Sequence, residues 1–176
     1  KSDSIISTLS SSDQDDSETF TYTLIKGEGD NDNQLFSIDG DKLKINSSPD
    51  YETKSSYNIR LRTTDSGDLS YETAFKLNVN DINDAPVNIS LSKTNFDENI
   101  KSESVVSILS SDDQDESDTH TYELISGDGD EDNESFTING NELQINSSPD
   151  YETKSFYNIR LKTIDNGELS FEKTFK

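Results

Sequence analysis

The chain has 176 residues and carries 37 acidic against 15 basic side chains, a formal net charge of −22 at neutral pH. This charge argues against nucleic acid or an anionic membrane surface as a partner and makes cations the natural complement. The sequence contains no run of about 18 apolar residues, the length that a membrane-spanning helix needs. It also contains no cysteine, so any cross-bracing of small domains must come from another source, such as bound metal.

One sequence unit occurs twice, at a spacing of 100 residues: 49 of the 76 positions in residues 1–76 are identical in residues 101–176. A unit of this size corresponds to a small autonomous domain. The segment before Lys101 has no counterpart before Lys1, and the segment after Lys76 has none after Lys176. We therefore expect a first domain (1–80) that lacks its first strand, a linker (81–86), and a second domain (87–176) that lacks its closing linker.

Apolar and polar residues alternate along short segments of the chain. In chain order these segments are FSI (36–38), LKI (43–45), YNIRLRT (57–63), FKLNVN (75–80), VNISLS (87–92), SVVSIL (104–109) and TYELI (121–125). A period of two predicts strands with one face in a core and one in water, and Gly40 and Gly140 predict tight turns between strand pairs. About seven short strands in roughly 100 residues favour a two-sheet sandwich. We expect an all-β fold with helix close to absent.

The acidic side chains that both copies share gather at the strand ends. They form five motifs: DQD (Asp13, Asp15; Asp113, Asp115), PDYE (Asp50, Glu52; Asp150, Glu152), the Asp before SG or NG (Asp65; Asp165), DINDAP (Asp81, Asn83, Asp84) and DEN (Glu98). Side-chain carboxylates and loop carbonyls are the oxygen ligands that calcium, a hard cation, prefers. These motifs therefore indicate calcium binding at the ends of the domains.

The five motifs, in this order, resemble the cadherin repeat, in the cadherin-like form common in large bacterial surface proteins. DINDAP is similar to the linker between repeats, PDYET to the acidic motif after the fifth strand, and DQD to the motif after the second strand. The resemblance covers essentially the whole chain. It implies tandem seven-stranded Greek-key β-sandwich domains of the cadherin or immunoglobulin-like type, with the first and last copies incomplete.

The resemblance also implies a joint at which up to three calcium ions lie between successive repeats. The ligands would be Asp50, Glu52, Asn83, Asp84, Asp113, Asp115 and Asp165, together with the main-chain carbonyls of Ile82 and Ala85, while Asp81 would be an outer or hydrogen-bonding residue. The six carboxylates in this set would balance the charge of three Ca²⁺ ions. Half-sites would remain for a following junction (Glu98, Asp150, Glu152) and for a preceding one (Asp13, Asp15, Asp65).

Other signals are weaker. The acidic loops 27–33 and 127–133 indicate polar hairpins, with an extra calcium site at Asp128, Asp130 and Asp132 as the alternative. His120 replaces Phe20 of the other copy, so we expect a half-exposed strand position rather than a ligand or a base. With one histidine and no cysteine, a catalytic triad is not credible, and we expect no enzymatic activity.

The leading functional hypothesis is a calcium-stiffened repeat of a long surface adhesin or filament, extracellular and bacterial, which acts as a spacer in cell adhesion. Near-identity of neighbouring copies suits a spacer that has been duplicated many times, so adjacent identical repeats are the expected partners, with no nucleic acid and no membrane insertion. The alternatives are direct homophilic or carbohydrate binding, or a head-to-tail polymer in which one chain donates a strand to another.

Overall fold

The computed structural model describes residues 3–15 and 19–176. The chain divides into two compact units, Lys1–Ile82 and Asn83–Lys176, which we call unit 1 and unit 2. Within the described residues the helical elements are two three-residue 3-10 turns, Asn33–Leu35 and Asn133–Ser135, and no helix is long and apolar enough to cross a membrane. The prediction of an all-β fold is confirmed.

Unit 1 has six strands in its described residues, and they form two antiparallel sheets. The strands are β1 Ser4–Thr8, β2 Thr21–Leu24, β3 Phe36–Asp39, β4 Lys42–Ile45, β5 Ser56–Thr64 and β6 Ser70–Asn78. One sheet has the order β1-β4-β3 and the other the order β2-β5-β6. Gly40 has φ +61° in the turn between β3 and β4, a conformation that costs glycine little, and this confirms the predicted tight turn.

Unit 2 has seven strands in two antiparallel sheets. They are β7 Asn88–Leu91, β8 Val105–Asp112, β9 Thr121–Leu124, β10 Phe136–Asn139, β11 Glu142–Ile145, β12 Ile159–Ile164 and β13 Ser170–Phe175. The sheets have the orders β10-β11-β8-β7 and β13-β12-β9. The chain changes sheet after β8, after β9 and after β11, as in a seven-stranded Greek-key sandwich, so the predicted fold class is confirmed for this unit.

The core of each unit lies between its two sheets, and the period-two pattern explains why. Ile59 and Leu61 of β5, like Ile159 and Leu161 of β12, are at most 5% exposed, while the arginine between each pair stays partly exposed. In unit 2 these residues pack against apolar side chains of the other sheet, namely Ile89, Val106, Leu109, Phe136, Leu143 and Ile145. Burial of each such aliphatic side chain contributes about 1.5–3 kcal/mol.

The two copies differ in the strand β7, which is described only in unit 2. In unit 2, β7 pairs with the last four residues of β8, from Leu91↔Leu109 to Asn88↔Asp112. The described residues of unit 1 contain no counterpart of β7, and β1 accordingly stops four residues earlier than β8 does. Ile6 of β1 is 43% exposed, and Val106, its counterpart in β8, is 6% exposed.

Candidate metal centre

The chain that enters unit 2 packs directly on the acidic end of that unit. The side-chain amide of Asn83 donates to Oδ2 of Asp165 at 3.0 Å, and the main-chain N–H of Asp84 donates to Oδ2 of Asp115 at 2.7 Å. Gln114 donates in turn to Oδ2 of Asp84 at 3.3 Å. The DINDAP motif and the DQD motif of the second copy are thus neighbours in space, although 30 residues separate them along the chain.

Three carboxylates converge at this end of unit 2. Oxygens of Asp113, Asp118 and Asp165 all lie within 4.8 Å of one another, in a position where an ion could bind to all three. Asp165 is 6% exposed. Among the described residues, no lysine or arginine forms a salt bridge with any of the three. The cluster therefore concentrates negative charge with little compensation from the protein.

The electrostatics differ between members of this cluster. Burial raises the pKa of Asp118, and the neighbouring charge of Asp115 adds to the effect. Burial also opposes ionisation of Asp165, but hydrogen bonds from Asn83 and from the main-chain N–H of Leu169 outweigh it, and the net result is a lowered pKa. Asp165 is thus a carboxylate held in its charged form, while Asp118 is crowded by like charges.

Three residues at this site, Asp118, His120 and Asn166, did not follow from the sequence motifs. Asp118 lies outside the five acidic motifs, and Asn166, with its amide nitrogen toward Asp118, donates to the two carboxylate oxygens at 2.8 and 2.6 Å. His120 lies directly before β9 and not in a strand as predicted; its side chain is 12% exposed, and its Nε2 lies 2.9 Å from Oδ2 of Asp113. The available signal was the difference between copies, because unit 1 has Phe20 and Ser66 at the positions of His120 and Asn166.

Because Gly167 has no side chain, the amide group of Asn83 can lie directly beside it. A Cβ atom built on Gly167 would overlap all three atoms of the Asn83 amide group. The same atom built on Gly67, the counterpart in unit 1, would meet only Oδ1 of Asp65, at 3.4 Å. The absence of a side chain at position 167 is therefore a requirement for the observed place of Asn83.

Unit 1 contributes the remaining predicted ligands. Asp50 accepts hydrogen bonds from the main-chain N–H and the hydroxyl of Thr53, both at 3.0 Å, and these two bonds lower the pKa of Asp50. Carboxylate oxygens of Glu52 and Asp81 lie within 4.8 Å of each other. Ile82 is 77% exposed, and Ala85, which belongs to unit 2, is partly buried.

The half-sites fall into two groups. Glu98, Asp150 and Glu152 bring oxygens within 4.8 Å of one another in unit 2, and the N–H of Tyr151 donates to Oε2 of Glu98 at 3.3 Å. In unit 1, the carboxylate of Asp13 accepts the main-chain N–H groups of Gln14 and Asp15, its neighbours in the DQD loop, and the carboxylate of Asp65 accepts those of Gly67 and Leu69 in its own turn. Asp13 and Asp15 are exposed, whereas Asp113 and Asp115 are partly buried.

The acidic loops of the two copies have a structural role. Asp132 is 7% exposed, pairs with Lys154 at 2.6 Å and accepts the main-chain N–H of Asn158 at 2.8 Å. Asp130 accepts the N–H of Gly127 at 2.9 Å. Loop 27–33 repeats this arrangement with Asp32 and Lys54, at 2.6 Å. These bonds favour the polar hairpin over an extra calcium site at Asp128, Asp130 and Asp132.

Comparisons with known proteins agree with the architecture. The chain matches the EC1-2 structure of human protocadherin-24 with a TM-score of 0.69 and 21% identity, over 100% of this chain and 86% of that one. It matches the extracellular domain of protocadherin GammaB4 with a TM-score of 0.66 and 20% identity, over 99% of this chain. The fold is that of cadherin extracellular domains. The chain spans only 28% of the length of the protocadherin GammaB4 structure, and no protein-family model and no curated protein sequence matches it.

The residues at the entrance of unit 2 suit the calcium that the acidic sequence motifs predict. Calcium takes six to eight oxygen ligands at about 2.3–2.6 Å. Asp84, Asp113, Asp115 and Asp165 could supply carboxylate oxygens, and Asn83 could supply an amide oxygen. A divalent cation would offset the negative charge of Asp113, Asp118 and Asp165, which converge here without a lysine or arginine partner among the described residues.

Proposed function

We propose that the chain is a calcium-stiffened extracellular repeat module that acts as a spacer in a long surface protein. The observation that carries the proposal is the contact of the linker with unit 2, where Asn83 binds Asp165 and Asp84 binds Asp115 beside the crowded Asp113 and Asp118. A cation at this position would have ligands from the linker as well as from the domain.

The complete ligand set of the proposed joint combines these residues with those of unit 1. It comprises Asp50, Glu52, Asn83, Asp84, Asp113, Asp115 and Asp165, the carbonyls of Ile82 and Ala85, and Asp118 as an additional carboxylate. Without metal, carboxylates this close repel one another at distances below the Debye length of about 8 Å, so salt does not screen them. With metal, rotation of one unit relative to the other would break coordination, so the joint would resist bending.

A spacer role follows from the repetition. A spacer needs no binding surface other than its contacts with the neighbouring repeats, so near-identical copies can fill this role. A stiff array of such copies would hold a distal domain away from a cell surface in adhesion. We extend the proposal to adhesins or filaments of bacterial surfaces on the basis of the sequence motifs, and we assign the chain no enzymatic activity. Its partners in this proposal are further copies of the same repeat.

Calcium titration monitored by thermal unfolding tests the metal, and small-angle scattering tests the stiffness. We expect millimolar calcium to raise the melting temperature, because a metal that binds the native state stabilises it, and extracellular calcium modules typically bind at about 10⁻⁴–10⁻³ M. Asp113→Asn should weaken this effect, and Asp13→Asn, its counterpart in unit 1, serves as the matched control. Equal scattering curves with calcium and with chelator would contradict the spacer mechanism.

Self-association, either homophilic or by strand exchange between chains, is a second candidate. A match to a structure described as the protocadherin gammaB7 EC3-6 cis-dimer concerns that protein. Light scattering across a range of protein concentrations tests the candidate, and a constant monomer mass would reject it.

A further inference from the structure

Two strands of unit 2 that belong to different sheets, β7 and β13, are joined by side chains 85 residues apart along the chain. Nζ of Lys173, on β13, donates to Oδ1 of Asn88 at 2.8 Å and to the main-chain carbonyl of Ile89 at 3.0 Å. Asn88 and Ile89 are the first two residues of β7. These bonds therefore connect the two layers of the sandwich through a single lysine.

A carboxylate lies on the other side of the Asn88 amide group. Nδ2 of Asn88 donates to Oδ2 of Asp112 at 2.9 Å and to the hydroxyl of Ser90 at 3.1 Å. Because a lysine ammonium can only donate and an ionised carboxylate can only accept, both neighbours require the same orientation of the amide. The amide is thus held with its oxygen toward the amine of Lys173 and its nitrogen toward Asp112.

Lys173 lies on the face of β13 that is turned toward the core. Its neighbours on this face, Phe171 and Phe175, pack against the core of unit 2, and the ring of Phe175 lies 5.2 Å from Nζ. Lys173 is partly buried, and within the described part of the chain it forms no salt bridge. Conversion of its amine into an uncharged amide would therefore leave no carboxylate without its partner, which is the main cost of removing a buried cation.

The arrangement contains the parts that the transfer of an amide bond requires. A lysine amine is a nucleophile, and it lies against the oxygen that is bonded to Cγ of Asn88, the carbon that it would attack. The nitrogen that would leave already donates to Asp112, at a distance that allows proton transfer. Nucleophile, carbonyl carbon and proton carrier thus lie in contact without any ligand.

Unit 1 lacks both the amine and the carboxylate. Thr73 stands at the position of Lys173, and Ser12 at the position of Asp112. The two groups are therefore present together in one copy of the repeat and absent together from the other, although 49 of the 76 aligned positions are identical. Their joint occurrence is what a shared chemical role predicts.

We propose that Lys173 and Asn88 form an intramolecular isopeptide bond that ties β13 to β7. Nζ of Lys173 attacks Cγ of Asn88, a carbon–nitrogen bond forms, and the bond between Cγ and Nδ2 breaks. Once Nζ is bonded to Cγ, both nitrogens lie on one carbon, so the carboxylate of Asp112 takes protons from Nζ and passes them to Nδ2. Two protons move in this way from the lysine ammonium, and the leaving group departs as ammonium. The step needs no oxidant and no second substrate.

The bond would make unit 2 resist extension. Tension on the chain enters unit 2 before β7 and leaves it after β13, so a covalent tie between these strands carries the load past the residues between them. This property goes beyond the calcium joint and stands without it, because the bond contains no metal. All measurements below are therefore made in chelator.

Intact-mass measurement of the folded 176-residue chain tests the bond. We expect a mass lower than that of the sequence by one ammonia, and proteolysis should release a branched peptide that joins the fragments of Asn88 and Lys173. Lys173→Arg keeps the positive charge but has no amine, so it should show no deficit. This variant also separates the cross-link from cyclic imides at the Asn–Gly pairs 139–140 and 166–167, which lose the same mass but would persist in the variant.

Two further arms test the rate and the mechanics. In Asp112→Asn the deficit should appear about 100-fold more slowly after cell-free synthesis, since proton transfer by a positioned group contributes at least this much. When the parent chain is pulled from its two ends, unit 1 should unfold and extend, while residues 88–173 should withhold about 300 Å of extension, at 3.3–3.6 Å per residue. In Lys173→Arg both units should extend.

Several outcomes would overturn the proposal. They are a parent chain with the full mass of its sequence, a deficit that Lys173→Arg shares, and extension of both units in the parent chain. Equal rates in the parent chain and in Asp112→Asn would overturn the part assigned to Asp112.

Discussion

Gly167→Ala offers a test of the calcium joint that leaves every proposed ligand in place. The added methyl group would overlap the amide of Asn83, which in turn binds Asp165. Overpacking of this kind costs about 1–3 kcal/mol when the neighbour cannot move. Without metal, Asn83 is only partly buried and can swing away, so we expect a small change in melting temperature. In the proposed joint, calcium would hold Asn83 as a ligand, so the cost should appear as about 5- to 150-fold weaker binding.

Gly67→Ala is the matched control for this prediction. Its added methyl group would make only an ordinary contact with Asp65, at 3.4 Å, so we expect a change within about 0.5 kcal/mol. Isothermal titration calorimetry of the parent chain and both variants measures calcium affinity, and thermal unfolding in chelator measures apo stability. Equal affinity in all three proteins, or equal losses in both variants, would refute the role given to Asn83.

Three more predictions concern charge and packing. Asp118→Asn should raise the melting temperature of the apo protein, since it removes one of the crowded carboxylates, and should reduce the gain on adding calcium. Lys54→Met should destabilise unit 1 by about 2 kcal/mol in denaturant unfolding, because it strips the cation from buried Asp32. Burial opposes ionisation of Asp32, but the hydrogen bonds from Lys54 and from the main-chain N–H of Asn58, with the charge of Lys54, together outweigh it and lower the pKa below 3.8. This loss should therefore be full above pH 3.8 and vanish as the pH falls through the lowered pKa of the folded state. Leu161→Ala, at a fully buried site, should cost about 2–5 kcal/mol in the same assay.

Much of the fold could be read from the sequence because sandwich strands alternate with a strict period of two. Ile59 and Leu61 could be placed in the core in this way, since any other register would expose them. Once the alternating segments were placed as strands, the acidic motifs could be placed at the ends of those strands. His120 and Asp118 escaped this reasoning because neither lies in a motif or a strand, and their role depends on neighbours that are distant along the chain.

The sequence by itself determined the duplication, the all-β architecture and the acidic character of the domain ends, because these depend on local pattern and composition. The tertiary structure decided which distant side chains meet. Asn83 and Asp165 are 82 residues apart along the chain, yet the amide of Asn83 donates to Oδ2 of Asp165 at 3.0 Å, and Asp118 joins Asp113 and Asp165 although it lies in none of the motifs. A contact between strand-end loops depends on how several strands pack at once, so no pattern within one segment could reveal it.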